Sequence, residues 1–146
     1  MLIPRKIEGN ILKSMNNSQV VAIIGPRQCG KSTLAKHILK EFSESIYLDL
    51  ERPSDLQKLE NAEWFLSSLK GKTICIDEIQ RKADLFPLIR SLVDEWSKPG
   101  SFIILGSASR DMLKQSSESL AGRIAYKRLT PFTWKEISDI ISIEKY

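Results

Sequence analysis

Eight consecutive residues, Gly25-Pro26-Arg27-Gln28-Cys29-Gly30-Lys31-Ser32, follow the spacing G-x-x-x-x-G-K-[ST]. Each fixed position has a chemical reason. Glycines let successive backbone N–H groups curl around a phosphate, and a helix opening directly after the loop adds the positive end of its dipole. Lys31 is spaced to bridge the β- and γ-phosphates, and Ser32 offers a hydroxyl to Mg²⁺, which a larger or apolar residue cannot do. Gly25 to Ser32, with Thr33 beside them, are therefore the predicted nucleotide contacts. A glycine turn that merely caps an ordinary helix has the same letters, but the apolar run before the loop and the helical periodicity after it favour the phosphate reading.

A second candidate follows the apolar run Thr73-Ile74-Cys75-Ile76, which ends in Asp77 and Glu78. Ligands collect at the carboxyl ends of strands in α/β sheets. Asp77 is the predicted partner of the metal, and Glu78, one residue further, is the predicted base that polarises the water attacking a γ-phosphate. Two exposed acids in a turn are the plainer alternative. The run Ser101 to Leu105 leads into Gly106-Ser107-Ala108-Ser109, which makes Ser107 a candidate γ-phosphate or water sensor, or simply a serine in a small-residue turn. Arg123 is a candidate for offsetting transition-state charge at a nucleotide of the same or a neighbouring subunit; position alone serves a surface arginine equally well. Cys29, next to a helix N-terminus, is expected to face the phosphate site, where its thiol is either reactive or just a small side chain that fits. His37 reads as solvated, and Trp64, Trp96 and Trp134 as packing anchors rather than a stacking platform for bases.

These residues need elements to hold them. Apolar runs bounded by turn signals alternate with segments of helical period, the pattern of a mostly parallel sheet with helices on both faces. Five strands are expected, over Gln19 to Ile24, Ser45 to Leu50, Thr73 to Ile76, Ser101 to Leu105 and, more weakly, Ala125 to Leu129. Leu34, Ile38, Leu39 and Phe42 share one face of a helix, Leu56, Leu59, Leu66 and Leu69 one face of the next segment, and Leu85, Leu88, Ile89, Leu92, Val93 and Trp96 form the clearest stripe, closed by Pro99-Gly100. Helices around Lys6 to Met15 and Trp134 to Ile141 complete the order.

With 146 residues, of which 42% are hydrophobic and 27% charged, residues 1–146 read as one α/β domain with a short N-terminal helix over about residues 1–17. The net charge of +4 permits contact with nucleic acid without arguing for it. Two cysteines without metal or disulfide spacing suit a reducing compartment, and no apolar stretch is long enough to cross a membrane, so a cytoplasmic location is expected.

Taken together, GPRQCGKS, YLDLE, ICIDEIQ, FIILGSAS and SLAGR, in this order, resemble a large prokaryotic family of AAA-type ATPases. The resemblance covers essentially the whole chain. It implies a P-loop NTPase three-layer sandwich of the additional-strand class, in which the sensor strand separates the phosphate-loop strand from the acidic strand. It further implies ATP and Mg²⁺ as ligands, Ser107 as the first sensor, an arginine-finger or sensor role for Arg123, and a part for Gln80 in fixing the acidic turn. Members of that family usually continue into a C-terminal domain, so the chain, ending at Tyr146, is expected to be the ATPase core of a longer protein or a truncated product. The leading expectation is Mg²⁺-dependent ATP hydrolysis coupled to a partner or effector domain. The alternative is a nucleotide-dependent binding module with little turnover, and transfer of phosphate to a small molecule is disfavoured by the adjacent Asp-Glu. A homo-oligomer and a protein partner stay open, DNA is open but unsupported, and no membrane partner is expected.

Overall fold

The computed structural model describes residues 6–131. The predicted helix around Trp134 to Ile141 and Trp134 itself lie outside them. Five strands, β1 (Val20–Ile24), β2 (Ser45–Asp49), β3 (Thr73–Asp77), β4 (Phe102–Gly106) and β5 (Ile124–Arg128), form a single sheet in the order β2-β3-β4-β1-β5, every neighbouring pair parallel. Each lies within one residue of its predicted bounds. The three central strands are buried along their whole length, which is why they read as unbroken apolar runs; edge strand β5 is only half-buried and runs Ile-Ala-Tyr before ending in Lys and Arg.

Successive strand side chains point to opposite faces, so the runs supply two cores at once. On one face Val21, Ile23, Cys75, Ile103 and Leu105 pack with Ile11 and Met15 of α1 (Glu8–Asn17) and with Leu34, Ala35 and Ile38 of α2 (Lys31–Leu39). On the other, Val20, Ala22, Ile74, Ile76, Phe102 and Ile104 pack with residues from the short helices α3 (Pro53–Lys58) and α4 (Ala62–Ser67) region and from α5 (Leu85–Trp96) and α6 (Arg110–Leu120). The result is the expected three-layer α/β sandwich. Trp96 stacks on Phe102 with ring centroids 5.7 Å apart, as an anchor should.

Five expectations need correction. The segment holding Leu56 to Leu69 is two helices: Pro53 opens α3 after the extended Arg52, and the Asn61 side chain caps α4. Leu59, Leu66 and Leu69 are buried, whereas Leu56 is exposed; Trp64, 70% exposed, is no packing anchor. The α5 stripe ends at Ser97, in the left-handed region with φ 51°, two residues before Pro99-Gly100. Helix α6 was not anticipated: Ser109 accepts a hydrogen bond from the Met112 N–H at 3.2 Å and starts it, and Met112, Ser116 and Leu120 are its buried, four-residue-spaced stripe. His37 is not simply solvated, since its Nε2 lies 3.1 Å from Glu8 Oε1 and ties α2 to α1.

Candidate functional site

β1 and β4 are paired so that Ile24 lies opposite Gly106, and the Gly25 N–H donates to the Gly106 carbonyl at 3.3 Å. The phosphate loop, Ser107 and the acidic turn after β3 thus meet at the carboxyl edge of the sheet, with β4 between β1 and β3 as the resemblance implied. Gly25 is required here sterically: a Cβ would sit 2.3 Å from the Leu129 carbonyl oxygen, which a 2.7 Å hydrogen bond from the Leu129 N–H to the Ile24 carbonyl keeps close. The loop turns through positive φ at Gln28 (60°) and Gly30 (94°) before α2 begins at Lys31.

Lys31 is buried, and its ammonium donates to the carbonyls of Gly25 (2.9 Å) and Pro26 (2.7 Å), spanning the loop it is expected to serve. Arg27, Gln28, Gly30, Lys31, Ser32, Thr33, Glu51 and Glu78 line an open cleft of about 390 Å³. Ser32 Oγ donates to Asp77 Oδ2 at 2.6 Å, joining the loop to the acidic strand across 45 residues of sequence. A hydroxyl and a carboxylate this close, both hard oxygen donors, fit the demands of Mg²⁺, which takes one or two protein oxygens and completes its shell with water and phosphate. Asp77 is buried and accepts from a second hydroxyl, that of Tyr47 in β2. Burial, and then this bond to Asp77, push the Tyr47 phenol far above its ordinary pKa, so it stays a proton donor.

Glu78 sits in the left-handed region (φ 58°, ψ 46°), which costs a non-glycine residue about 1–3 kcal/mol and recurs at functional sites. Its carboxylate accepts from Gln80 Nε2, supporting the expected part of Gln80 in the acidic turn. Room for that amide comes from Gly106, where a Cβ would lie 2.8 Å from Gln80 Oε1; this oxygen is buried without a hydrogen-bond partner. Ser107 is half-buried immediately beyond β4.

Two predicted residues are not brought to the cleft. The Cys29 side chain is buried in the core cluster that also holds Leu34, Ala35 and Leu129, with its sulfur 3.9 Å from Lys31 Nζ and 3.1 Å from where a Gly25 Cβ would lie, and it does not line the cleft. Cys75 is fully buried in β3, and burial raises its thiol pKa. Arg123 stands just before β5, where its carbonyl accepts from the Val20 N–H; the cleft is at the opposite end of these strands, roughly 13 Å of strand away. Its guanidinium forms a fork on Asp94 (2.5 and 3.0 Å) and donates to the Ala121 carbonyl at 2.8 Å. That fork holds the Asp94 carboxyl below its ordinary range and raises the arginine further. Same-chain contact between Arg123 and the nucleotide is not what this geometry offers.

Sequence reading missed Tyr47 and Glu51. Glu51 Oε1 lies 3.2 Å from Arg27 Nη2 and 3.5 Å from Arg81 Nη2, linking the phosphate loop to the turn after the acidic strand. A tyrosine two residues before the end of β2, on the strand beside the acidic one, was the only available signal for Tyr47.

A parallel sheet of this order, with a glycine loop leading from β1 into α2 and a carboxylate from β3 hydrogen-bonded to the first turn of that helix, defines a nucleotide-binding P-loop domain of AAA type. The chain belongs to the AAA domain family, which matches residues 17–138. It is similar to two uncharacterized proteins, one of Mycobacterium bovis and one of Mycobacterium tuberculosis, each 41% identical over 138 residues. The match takes in 94% of this chain and 31% of each relative, so the chain spans about a third of their length. Among solved structures, Cdc6p from Pyrobaculum aerophilum has a TM-score of 0.61 at 10% identity, covering 97% of this chain and 50% of that one. A DNA replication initiation factor has 0.59 at 12% (94% and 48%), and Drosophila ORC bound to DNA has 0.60 at 15% (93% and 44%). At such identities the likeness is one of fold. Among the described residues, no helix is long and apolar enough to cross a membrane.

Proposed function

We propose that this domain binds ATP with Mg²⁺ in the cleft and hydrolyses it, and that the cycle acts on a partner or effector domain. The observation that carries the reading is the 2.6 Å hydrogen bond between Ser32 and Asp77, which joins the two motifs that such chemistry requires. In this reading the loop N–H groups and Lys31 hold the phosphates, while Ser32 and Asp77 hold the ion, which when bound neutralises charge on the β- and γ-phosphate oxygens. Glu78 takes a proton from the water whose oxygen bonds to the γ-phosphorus as the bond to the β–γ bridging oxygen breaks, giving ADP and phosphate. Gln80 steadies that carboxylate through Oε2, leaving Oε1 for the water. Ser107, beside Gly25, serves as the sensor of the γ-phosphate. Arg123, held away from the cleft of its own chain, acts on the nucleotide of a neighbouring copy. The relatives extend well beyond the matched region, and the effector is assigned to such a region.

A second reading, nucleotide-dependent binding with little turnover, draws support from Lys31 and Glu78 both being engaged by the protein's own groups. Glu78→Gln separates the two. The variant is expected to bind ATP as the wild type does and to release phosphate roughly 100-fold more slowly or less. A parallel loss of ATP affinity would overturn the assignment of Glu78 as base, and wild-type phosphate release no faster than that of the variant would leave the binding-module reading standing.

A further inference from the structure

Asp77 is a buried carboxylate whose two known partners are both hydroxyls, and both reach the same oxygen. Ser32 Oγ donates to Oδ2 at 2.6 Å, and the Tyr47 hydroxyl donates to Oδ2 as well. Among the described residues, no hydrogen bond reaches Oδ1. The strand register explains how the phenol arrives: Tyr47 is level with Cys75 and Asp49 with Asp77, so Tyr47 and Asp77 are diagonal neighbours on the same face of adjacent parallel strands. The ring cannot swing away freely, because Lys36 of α2 places its ammonium over it, 4.8 Å from the centroid, and it packs against the core shared by Cys75 and Leu39. Phenylalanine would satisfy that packing. The hydroxyl therefore has its function at Asp77.

From this geometry, and resting on the proposed Mg²⁺·ATP reading of the site, we infer that Tyr47 is a positioning residue for the metal. Its hydroxyl fixes the rotation of the Asp77 carboxylate, holding Oδ2 toward Tyr47 and Ser32 and presenting the remaining oxygen to the ion and its waters. A carboxylate accepting two hydroxyl protons on one oxygen has little freedom about its Cβ–Cγ bond, and partners of this kind behind a metal ligand are worth 10- to 100-fold in metal affinity. Ser32 keeps its lone pairs for the metal while its O–H donates to Asp77, so removing Tyr47 leaves Ser32 to orient the carboxylate alone.

The test is a Mg²⁺ titration of ATP binding by wild type and Tyr47→Phe, followed by a fluorescent ATP analogue, with a parallel titration in EDTA and thermal unfolding of the metal-free proteins. The expected result is a rise of roughly 10-fold or more in the Mg²⁺ concentration for half-maximal binding, with metal-free ATP affinity within about twofold of wild type. In an Asp77→Asn background, Tyr47→Phe should move the Mg²⁺ midpoint no further. Coincident Mg²⁺ curves for wild type and Tyr47→Phe would overturn the inference. So would an equal fall in binding with and without metal, which would make Tyr47 a packing residue. If the wild type binds ATP equally well with Mg²⁺ and with EDTA, the metal reading of Ser32 and Asp77 fails, and the role of Tyr47 fails with it.

Discussion

Gly25→Ala tests the phosphate loop where the structure is least forgiving. The new Cβ would stand 2.3 Å from the Leu129 carbonyl oxygen, about 1 Å inside ordinary contact, and 3.1 Å from the Cys29 sulfur. The contact with the sulfur needs a shift of only about a few tenths of an ångström, but the carbonyl is backbone, anchored by the 2.7 Å bond from its own N–H to Ile24. Either the loop rises off the sheet edge or the end of β5 moves outward. Overpacking of this kind costs about 1–3 kcal/mol, equivalent to a fall of roughly 3–10 °C in thermal midpoint for a domain of this size. Gly9→Ala is the matched control: it lies in α1, no atom would come within 4 Å of its Cβ, and alanine is favoured over glycine inside a helix by about 0.5–1 kcal/mol. Thermal unfolding of both variants, with ATP binding measured below the transition, should show Gly9→Ala at or above wild type with full binding. Gly25→Ala should be destabilised and fail to bind. Refutation would be Gly25→Ala matching wild type in both midpoint and affinity, because the close approach of loop and β5 would then be unimportant.

The two thiols make a second case, since Cys29 is 3% exposed and Cys75 fully buried. Neither should react with an alkylating reagent in the native protein, with or without ATP, and both should react in denaturant; rapid labelling of Cys29 that ATP suppresses would show that it faces the cleft after all. For Arg123, the trans reading expects Arg123→Ala to bind ATP normally but to lose turnover by roughly 10³-fold. An equimolar mixture of Arg123→Ala and Glu78→Gln proteins, each inactive alone, should recover part of the activity at concentrations where sedimentation shows oligomers. No recovery within demonstrated mixed oligomers would rule that reading out.

The cleft was legible where its chemistry is written in adjacent residues. Gly25 to Ser32 and Asp77-Glu78 need only a strand before them, and buried parallel strands announce themselves as apolar runs between turn residues. What escaped was whatever depends on which elements lie side by side. Tyr47 reaches Asp77 only because β2 pairs with β3 in a particular register, and Arg123 meets Asp94 across 29 residues that join two different elements. Cys29 is buried in the cluster that holds Leu34, Ala35 and Leu129, a packing choice that the residue type does not announce. Helix α6 hides because Met112, Ser116 and Leu120 are diluted among Lys, Gln, Ser and Glu, so its stripe is too narrow to read. The α3–α4 break is masked by a leucine spacing that stays in helical phase through Asn61, where a new helix starts.

The central claim, that ATP binds at the loop after β1, is tested most directly by calorimetric titration of Mg²⁺·ATP into wild type and Lys31→Ala. Lys31 is buried between the loop carbonyls it spans, and alanine removes the ammonium to which the proposed function gives the phosphate oxygens. Saturable binding of one ATP per chain by the wild type, lost in a Lys31→Ala protein whose circular dichroism and unfolding remain cooperative, is the expected result. Equal affinity in the two folded proteins would contradict the account, because the nucleotide would then be held somewhere other than this loop.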